Sequence, residues 1–307
     1  MYYFVVNGTA RTGKGEQLWK QLEKKIKEKK LKYKAFFTSP EHDAEMIARE
    51  ICENDNSPKN IVIVGGDGTA DAVINGISDF DRLTVGLVPT GSGNDLARGT
   101  GVKLDTLEAF DRVISPKRSR KIDIGLAEDL NGGFKRRFAV SSGMGYDADI
   151  CYASDHSKLK KFLNKLKLGR LNYFIIGLKL IFSNKPAECT ITIDGVRKIR
   201  YKKLIFAANM NTVYEGGGMP MGPDADPEDG RITVCIVHDL SKLRHLSLMP
   251  TVIKGKHVKK KGIEEITART IEIETDRPLV IHTDGEFAGK SSHIRFSCLD
   301  EKVRILL

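Results

Sequence analysis

Short apolar runs alternate with amphipathic stretches through the first 120 residues, and this alternation restricts the fold more than any other feature. Tyr2–Val6 reads as a strand. Glu16–Lys30 reads as a helix, with Leu18, Leu22 and Ile26 on one stripe and its lysines toward solvent. Lys34–Thr38 reads as a second strand. A helix with Ala44, Ile47, Ala48 and Ile51 on one side follows, entered through Ser39-Pro40. Ile61–Val64 and Thr84–Pro89 give two more strands. A helix opening near Asp71 follows the first of these, and another over Asp105–Ile114 follows the second. Such βαβα alternation predicts a mostly parallel sheet covered by helices on both faces. Ligands then bind beyond the carboxyl ends of its strands.

The texture changes near Lys121–Glu128. Period-2 segments take over at Phe138–Gly143, Glu188–Asp194, Leu204–Met210, Arg231–Val237, Thr270–Thr275, Leu279–Gly285 and His293–Cys298. Asp-Gly turns separate some of them. The expected architecture is α/β followed by β: an α/β domain over residues 1–121, then an antiparallel β-sandwich over 122–297 with a helical insertion at 156–184. Residues from about 298 to 307 are expected to return to the first domain.

Gly65, Gly66 and Gly68 stand where the third strand passes into a helix, and bare backbone there lets N–H groups approach a phosphate. Asp67 among them repels phosphate unless a divalent cation lies between, the usual arrangement for Mg²⁺ with a nucleotide. As a purely structural turn, the same Asp would cap the next helix. Gly91, Ser92, Gly93, Asn94 and Asp95 repeat the pattern after the fourth strand. Asn7–Gly15 follows the first strand and places Lys14 among glycines, although Gly15 breaks the Walker spacing.

Gly-Gly-Asp-Gly-Thr (65–69) and Pro-Thr-Gly-Ser-Gly-Asn-Asp (89–95), in this order, resemble the diacylglycerol kinase catalytic family, which includes bacterial lipid kinases and sphingosine and ceramide kinases. Ser141–Ile150, Pro223–Val237 and Ile281–Glu286 extend the resemblance over nearly the whole chain. It implies an NAD kinase-like α/β domain, a β-sandwich, an active site in the cleft between them, and transfer of the γ-phosphoryl of ATP to a lipid hydroxyl with Mg²⁺, most naturally that of diacylglycerol. Position by position, it implies that Asn7, Lys14, Gly65–Thr69 and Gly91–Asn94 hold the nucleotide. Asp67 and Asp95 join the metal. Asp284 is the general base with Glu286 beside it, and Asp226 and Asp229 serve a second, structural metal. Taken without the resemblance, Asp284-Gly285 reads as a hairpin turn. The chain departs from the family at Gly8, Arg11, Ser92 and above all Asp71-Ala72, where Asn-Glu is usual. Gly-Gly-Asp-Gly-Thr is shared with NAD kinases, so a small-molecule kinase and a catalytically weakened nucleotide- or lipid-binding homologue stay open.

A net charge of +10 favours anionic partners. No zinc-finger, RNP or basic-zipper signature supports nucleic acid. The five cysteines form no CxxC pair and the seven histidines lack ligand spacing. No uncharged apolar run of 18 residues exists, and the five-residue N-terminal run is too short for a signal peptide. His156–Lys185 carries eight Lys or Arg and no Asp or Glu, interleaved with apolar residues. Such a segment suits either an anionic membrane surface or packing against the sandwich with solvated lysines. The expectation is a cytoplasmic protein in peripheral contact with anionic lipid, with a homodimer as a further partner state.

Overall fold

The computed structural model describes residues 1–8, 15–54, 57–155 and 169–307. The chain divides into two units, Met1–Asp123 with Asp300–Leu307, and Ile124–Leu299.

The first unit runs β1 (Tyr2–Val6), α1 (Gly15–Glu28), β2 (Tyr33–Phe37), α2 (Ala44–Glu53), β3 (Lys59–Gly65), α3 (Asp67–Gly76), β4 (Leu83–Pro89), α4 (Asp95–Gly99) and α5 (Thr106–Val113). β2, β1, β3 and β4 lie side by side and parallel, and Arg304 and Ile305 add a further parallel pairing on β4. Phe4, Val6, Val62, Val64 and Val88 pack with Trp19, Leu22 and Ile26 of α1 and Phe110 and Val113 of α5. The intervening Val5, Ile61 and Ile63 are also buried, so the central strands are apolar on both faces.

Two helix starts differ from the sequence reading. α2 is capped by Asp43, whose carboxylate accepts the amides of Glu45 and Met46 at 2.9 Å, rather than by the Ser-Pro step. α3 begins at Asp67 rather than near Asp71, so the glycine motif is itself the first turn of the helix.

The second unit contains β5 (Ser119–Asp129, entered from the first unit), β6 (Lys135–Phe138), β7 (Ser141–Gly145), α6 (Tyr146–Asp155), α7 (Gly169–Ser183), β8 (Ala187–Ile193), β9 (Arg197–Met210), β10 (Ile232–His238), α8 (Lys242–Val252), β11 (Ile263–Ala268), β12 (Thr270–Thr283) and β13 (Glu286–Leu306, which returns to the first unit from Asp300). Its strands run β11-β10-β9-β7-β12-β13, with β8 paired to both β9 and β12. The β11–β10, β10–β9, β9–β7, β7–β12 and β12–β13 pairings are all antiparallel. Ile191, Val234, Ile236, Ile271, Ile273, Ile281, Ile294 and Phe296 form the main core of this unit. Tyr146, Ile181, Phe206, Cys235, Val237 and Leu248 form a second core that joins the helices to the sheet. The helical insertion expected at 156–184 is realised as α7 over its second half, and residues 156–168 lie outside the described part. No described helix is long and apolar enough to cross a membrane.

Phe138–Gly143, read as one strand, is two. β6 ends at Phe138 and β7 begins at Ser141, because the amides of Ala139 and Val140 donate to the Asp284 carboxylate instead of a strand ladder.

Gly76 decides how closely α2 and α3 approach. A Cβ there would lie 2.2 Å from the Glu45 carbonyl oxygen and 2.9 Å from the Ala48 methyl. Gly76→Ala is therefore expected to lower the stability of the unliganded protein by about 1–3 kcal/mol, read from the urea midpoint.

Candidate active site

The first unit gathers its glycine loops by backbone contact. Gly65 has no room for a side chain, since a Cβ would sit 2.6 Å from Thr69 Cβ and Oγ1. Gly66 and Gly91 touch across the two loops, and a Cβ on Gly91 would fall 2.7 Å from the Gly66 Cα. The Gly65 carbonyl accepts the Thr90 amide at 2.9 Å. Thr69 Oγ1 accepts the Asn7 side-chain amide at 3.2 Å, so the end of β1 is tied to the same cluster. Asp67 Oδ1 accepts the Leu96 amide at 3.2 Å. It thus caps the start of α4, the helix after the neighbouring loop, while standing in the first turn of α3.

Asn94 takes a left-handed conformation, with φ of 54°. Its Oδ1 accepts the Gly91 amide at 3.0 Å and its Nδ2 donates to the Gly91 carbonyl at 2.9 Å. The side chain that the sequence placed on a nucleotide is here the brace of its own loop. Ser92 at the loop tip is exposed, as is Gly91, with Gly93 and Gly68 partly so. Asp95 is buried and faces Arg98, with Oδ1 3.7 Å from Nε. Asp71, the departure from the family pattern, is 1% exposed and accepts the Asn75 side-chain amide at 3.2 Å. Lys14 lies outside the described residues.

The second unit places Asp284 and Gly285 at the tip joining β12 to β13, with φ of 50° and 87°. Thr283 pairs with Glu286, so the connection is a two-residue hairpin turn. The half-buried Asp284 carboxylate receives three consecutive amides: Ala139 on Oδ2 at 2.9 Å, and Val140 and Ser141 on Oδ1 at 2.8 and 3.0 Å. Burial pushes this carboxyl up from the ordinary Asp range, while the three amides pull it back. Glu286 opens β13 and is exposed. Asp226 and Asp229 are exposed turn residues, accepting the amides of Glu228 and Arg231 at 3.0 and 2.9 Å.

One cluster was not read from the sequence. Fully buried His282 has its Nε2 2.9 Å from Asp147 Oδ2 and 3.2 Å from Glu215 Oε1. Glu215 Oε1 also accepts the Ser141 hydroxyl at 2.8 Å. Burial, and then the nearby Asp147, raise the Glu215 carboxyl. The three residues are 68 and 67 positions apart in sequence, so no local spacing announces them. The bare backbone of Gly143 makes the room: a Cβ there would lie 2.2 Å from Asp147 Oδ2 and 2.4 Å from His282 Nε2.

The two jobs of Asn94, its ties and its conformation, can be separated. Asn94→Gly removes both ties to Gly91 and keeps the left-handed backbone. Asn94→Ala removes the ties and forces Ala into that region, at a further cost of about 1–2 kcal/mol. Both variants are expected to melt below the wild type without nucleotide, Ala lower than Gly, in urea unfolding. A side chain that served only a nucleotide would leave the unliganded midpoint unchanged.

A sequence profile described as the diacylglycerol kinase catalytic domain matches residues 1–127, and one described as the YegS C-terminal NAD kinase beta sandwich-like domain matches residues 140–307. A diacylglycerol kinase of Bacillus subtilis (strain 168) is 30% identical over 231 residues, covering 75% of this chain and 71% of its own. A diacylglycerol kinase of Staphylococcus carnosus (strain TM300) is 28% identical, covering 90% of this chain and 86% of its own. In fold, the chain is similar to a diacylglycerol kinase structure from Bacillus anthracis str. Sterne (TM-score 0.69, 20% identity, 99% and 96% coverage). It is also similar to an NAD kinase from Archaeoglobus fulgidus in complex with ATP (TM-score 0.53, 14% identity, 100% and 94% coverage). With glycine loops closed on one another at the strand ends of one unit and an Asp-Gly hairpin in the other, the chain belongs to the diacylglycerol kinase catalytic-domain family.

Proposed function

We propose that the chain is an ATP- and Mg²⁺-dependent lipid kinase that transfers the γ-phosphoryl group to the hydroxyl of diacylglycerol, giving phosphatidic acid. The observation that carries this reading is the Asp284 carboxylate, fixed by three amides at a hairpin tip and raised by burial. Phosphoryl transfer asks a protein for positioning, charge neutralisation and one acceptor for the hydroxyl proton. A rigid carboxylate raised from its usual range is suited to that acceptor role.

The loops around Gly66 and Gly91 offer bare backbone to phosphate oxygens. Mg²⁺, when bound, neutralises phosphate charge. The donor set suits such a hard cation, because Asp67 sets a carboxylate between the two loops. Asp95 is the second carboxylate for that cation, and it faces Arg98, whose Nη2 donates to the Gly93 carbonyl at 3.4 Å. Asp226 and Asp229 are the residues for a second, structural cation, and Glu286 stands beside the base. The Asp71 substitution does not argue for an inactive homologue, since that side chain is turned into the unit and bonded to Asn75.

The test is a panel of γ-labelled ATP with diacylglycerol, a sphingoid base, phosphatidylglycerol and NAD, run beside Asp284→Asn. Label is expected in diacylglycerol, with kcat about 10²- to 10⁴-fold lower in the variant and ATP affinity retained by calorimetry. Label in NAD alone would replace the lipid by a soluble acceptor. No label in any acceptor would sink the kinase reading.

We also propose peripheral attachment to anionic lipid through the basic segment that contains α7. Phe182 and Ile175 on this helix are 56% and 42% exposed, and Lys179 is exposed beside them. Each basic residue at such a surface adds about 1 kcal/mol. Co-sedimentation with phosphatidylglycerol vesicles is expected at low salt and lost with neutral phosphatidylcholine. Equal sedimentation with both would refute the electrostatic attachment.

A further inference from the structure

The buried Asp147–His282–Glu215 cluster has a definite chemical state written into its hydrogen bonds. The Gly285 amide donates to His282 Nδ1 at 3.2 Å. An acceptor nitrogen carries a lone pair, so the ring proton sits on Nε2, the atom facing the two carboxylates. That tautomer decides between two uses of the cluster. The three ligand atoms lie within 4.8 Å of one another, which is the spacing of a cation site. A metal on Nε2 would move the ring proton to Nδ1, straight into the Gly285 N–H. A second ring proton would create the same clash. The two acids outweigh burial and raise the ring to about 10, and it is the Gly285 N–H facing Nδ1 that stands against the second proton. Burial and the nearby Asp147 raise the Glu215 carboxyl.

The same bonds connect the cluster to the Asp284 turn by two routes. One runs from Asp147 through the imidazole to the Gly285 amide. The other runs from Glu215 through the Ser141 hydroxyl, and the Ser141 backbone exchanges bonds with Asp284: its amide donates to Oδ1 at 3.0 Å and its carbonyl accepts the Asp284 amide at 2.8 Å. Both sides of the turn are therefore held from one buried point. Asp147 comes from α6, Glu215 from the segment after β9 and His282 from β12. Asp284 interacts electrostatically with the ring, and Asp149 and Cys235 do so with Asp147.

We propose that Asp147, His282 and Glu215 are positioning residues for Asp284, acting through a neutral imidazole locked as the Nε2–H tautomer that clamps the turn through the Gly285 amide. Its bearing on catalysis rests on the reading that Asp284 accepts the hydroxyl proton, but the clamp itself does not need that reading.

Imidazole nitrogen NMR on the full chain, without nucleotide or lipid, tests the tautomer directly. At pH 7 His282 is expected to show a lone pair on Nδ1 and a proton on Nε2. A ring protonated at both nitrogens, a proton on Nδ1, or an Nε2 signal that changes when a chelator strips a metal would each overturn the proposal. Two substitutions separate the ends of the ring. His282→Asn keeps an acceptor near the backbone for Gly285 and loses the reach to the acids. His282→Gln keeps a distal donor for the acids and loses that acceptor. The Gly285 amide resonance and the carboxyl titration of Asp284 are expected to move in the Gln variant and much less in the Asn variant. Equal behaviour in the two would sink the clamp. In the kinase assay the Gln variant is expected to lose about 10²-fold in kcat with KM for ATP unchanged. Should the wild type transfer no phosphoryl group while the ring state is as expected, the proposed function falls and the clamp stands.

Discussion

The second unit turns on one carboxylate meeting three consecutive amides. Asp284 takes the N–H groups of Ala139, Val140 and Ser141, and this removes them from the strand ladder where β6 passes into β7. A buried amide must find an acceptor, and here a charged side chain from another hairpin supplies it. The comparison with Asp194 shows what is specific. Asp194-Gly195 also forms a hairpin tip with positive φ, and its carboxylate also accepts two amides, from Arg269 and Thr270. That Asp has no buried histidine two residues before it. Amide capture alone is a way to fasten a hairpin, and the His282 cluster is what distinguishes the Asp284 turn.

The first unit solves a different problem, bringing two loops together at the ends of adjacent strands. Side chains would keep them apart, so the contact is made glycine to glycine at 66 and 91. Two of the polar groups that remain tie separate segments, Asp67 to Leu96 and Asn7 to Thr69, and Asn94 braces its own loop through Gly91. The result is a surface of backbone whose shape is set before any ligand arrives, which lowers the ordering cost of binding.

Much of this was legible in the sequence because the signals are local. Period and burial agree in α2, where Ala44, Ile47, Ala48 and Ile51 are buried, and in the apolar runs of β3 and β4. The glycine loops were legible because glycine has few other reasons to recur at strand ends. The break at Ala139–Val140 was not, since it is caused by a residue 144 positions away from Val140. The double role of Asp67 was half visible: it caps a helix, but the one after the next loop. Asn94 looked like a ligand group because a polar side chain in a glycine loop gives no sign of which way it bonds. The His282 cluster was invisible for the same reason as the strand break, with one partner supplied by a helix and another by a loop far along the chain.

β4 has one remaining point of interest, its outer edge. Its parallel partner on that side is formed by Arg304 and Ile305, more than 200 residues after β4. During synthesis, β1 to β4 and their helices emerge well before it, and this flank of the parallel sheet keeps unpaired backbone groups until residues 304 and 305 have been made. An open edge of this kind is a template for pairing with another chain. A nascent chain stalled before residue 304 thus presents the parallel sheet with one open, adhesive side.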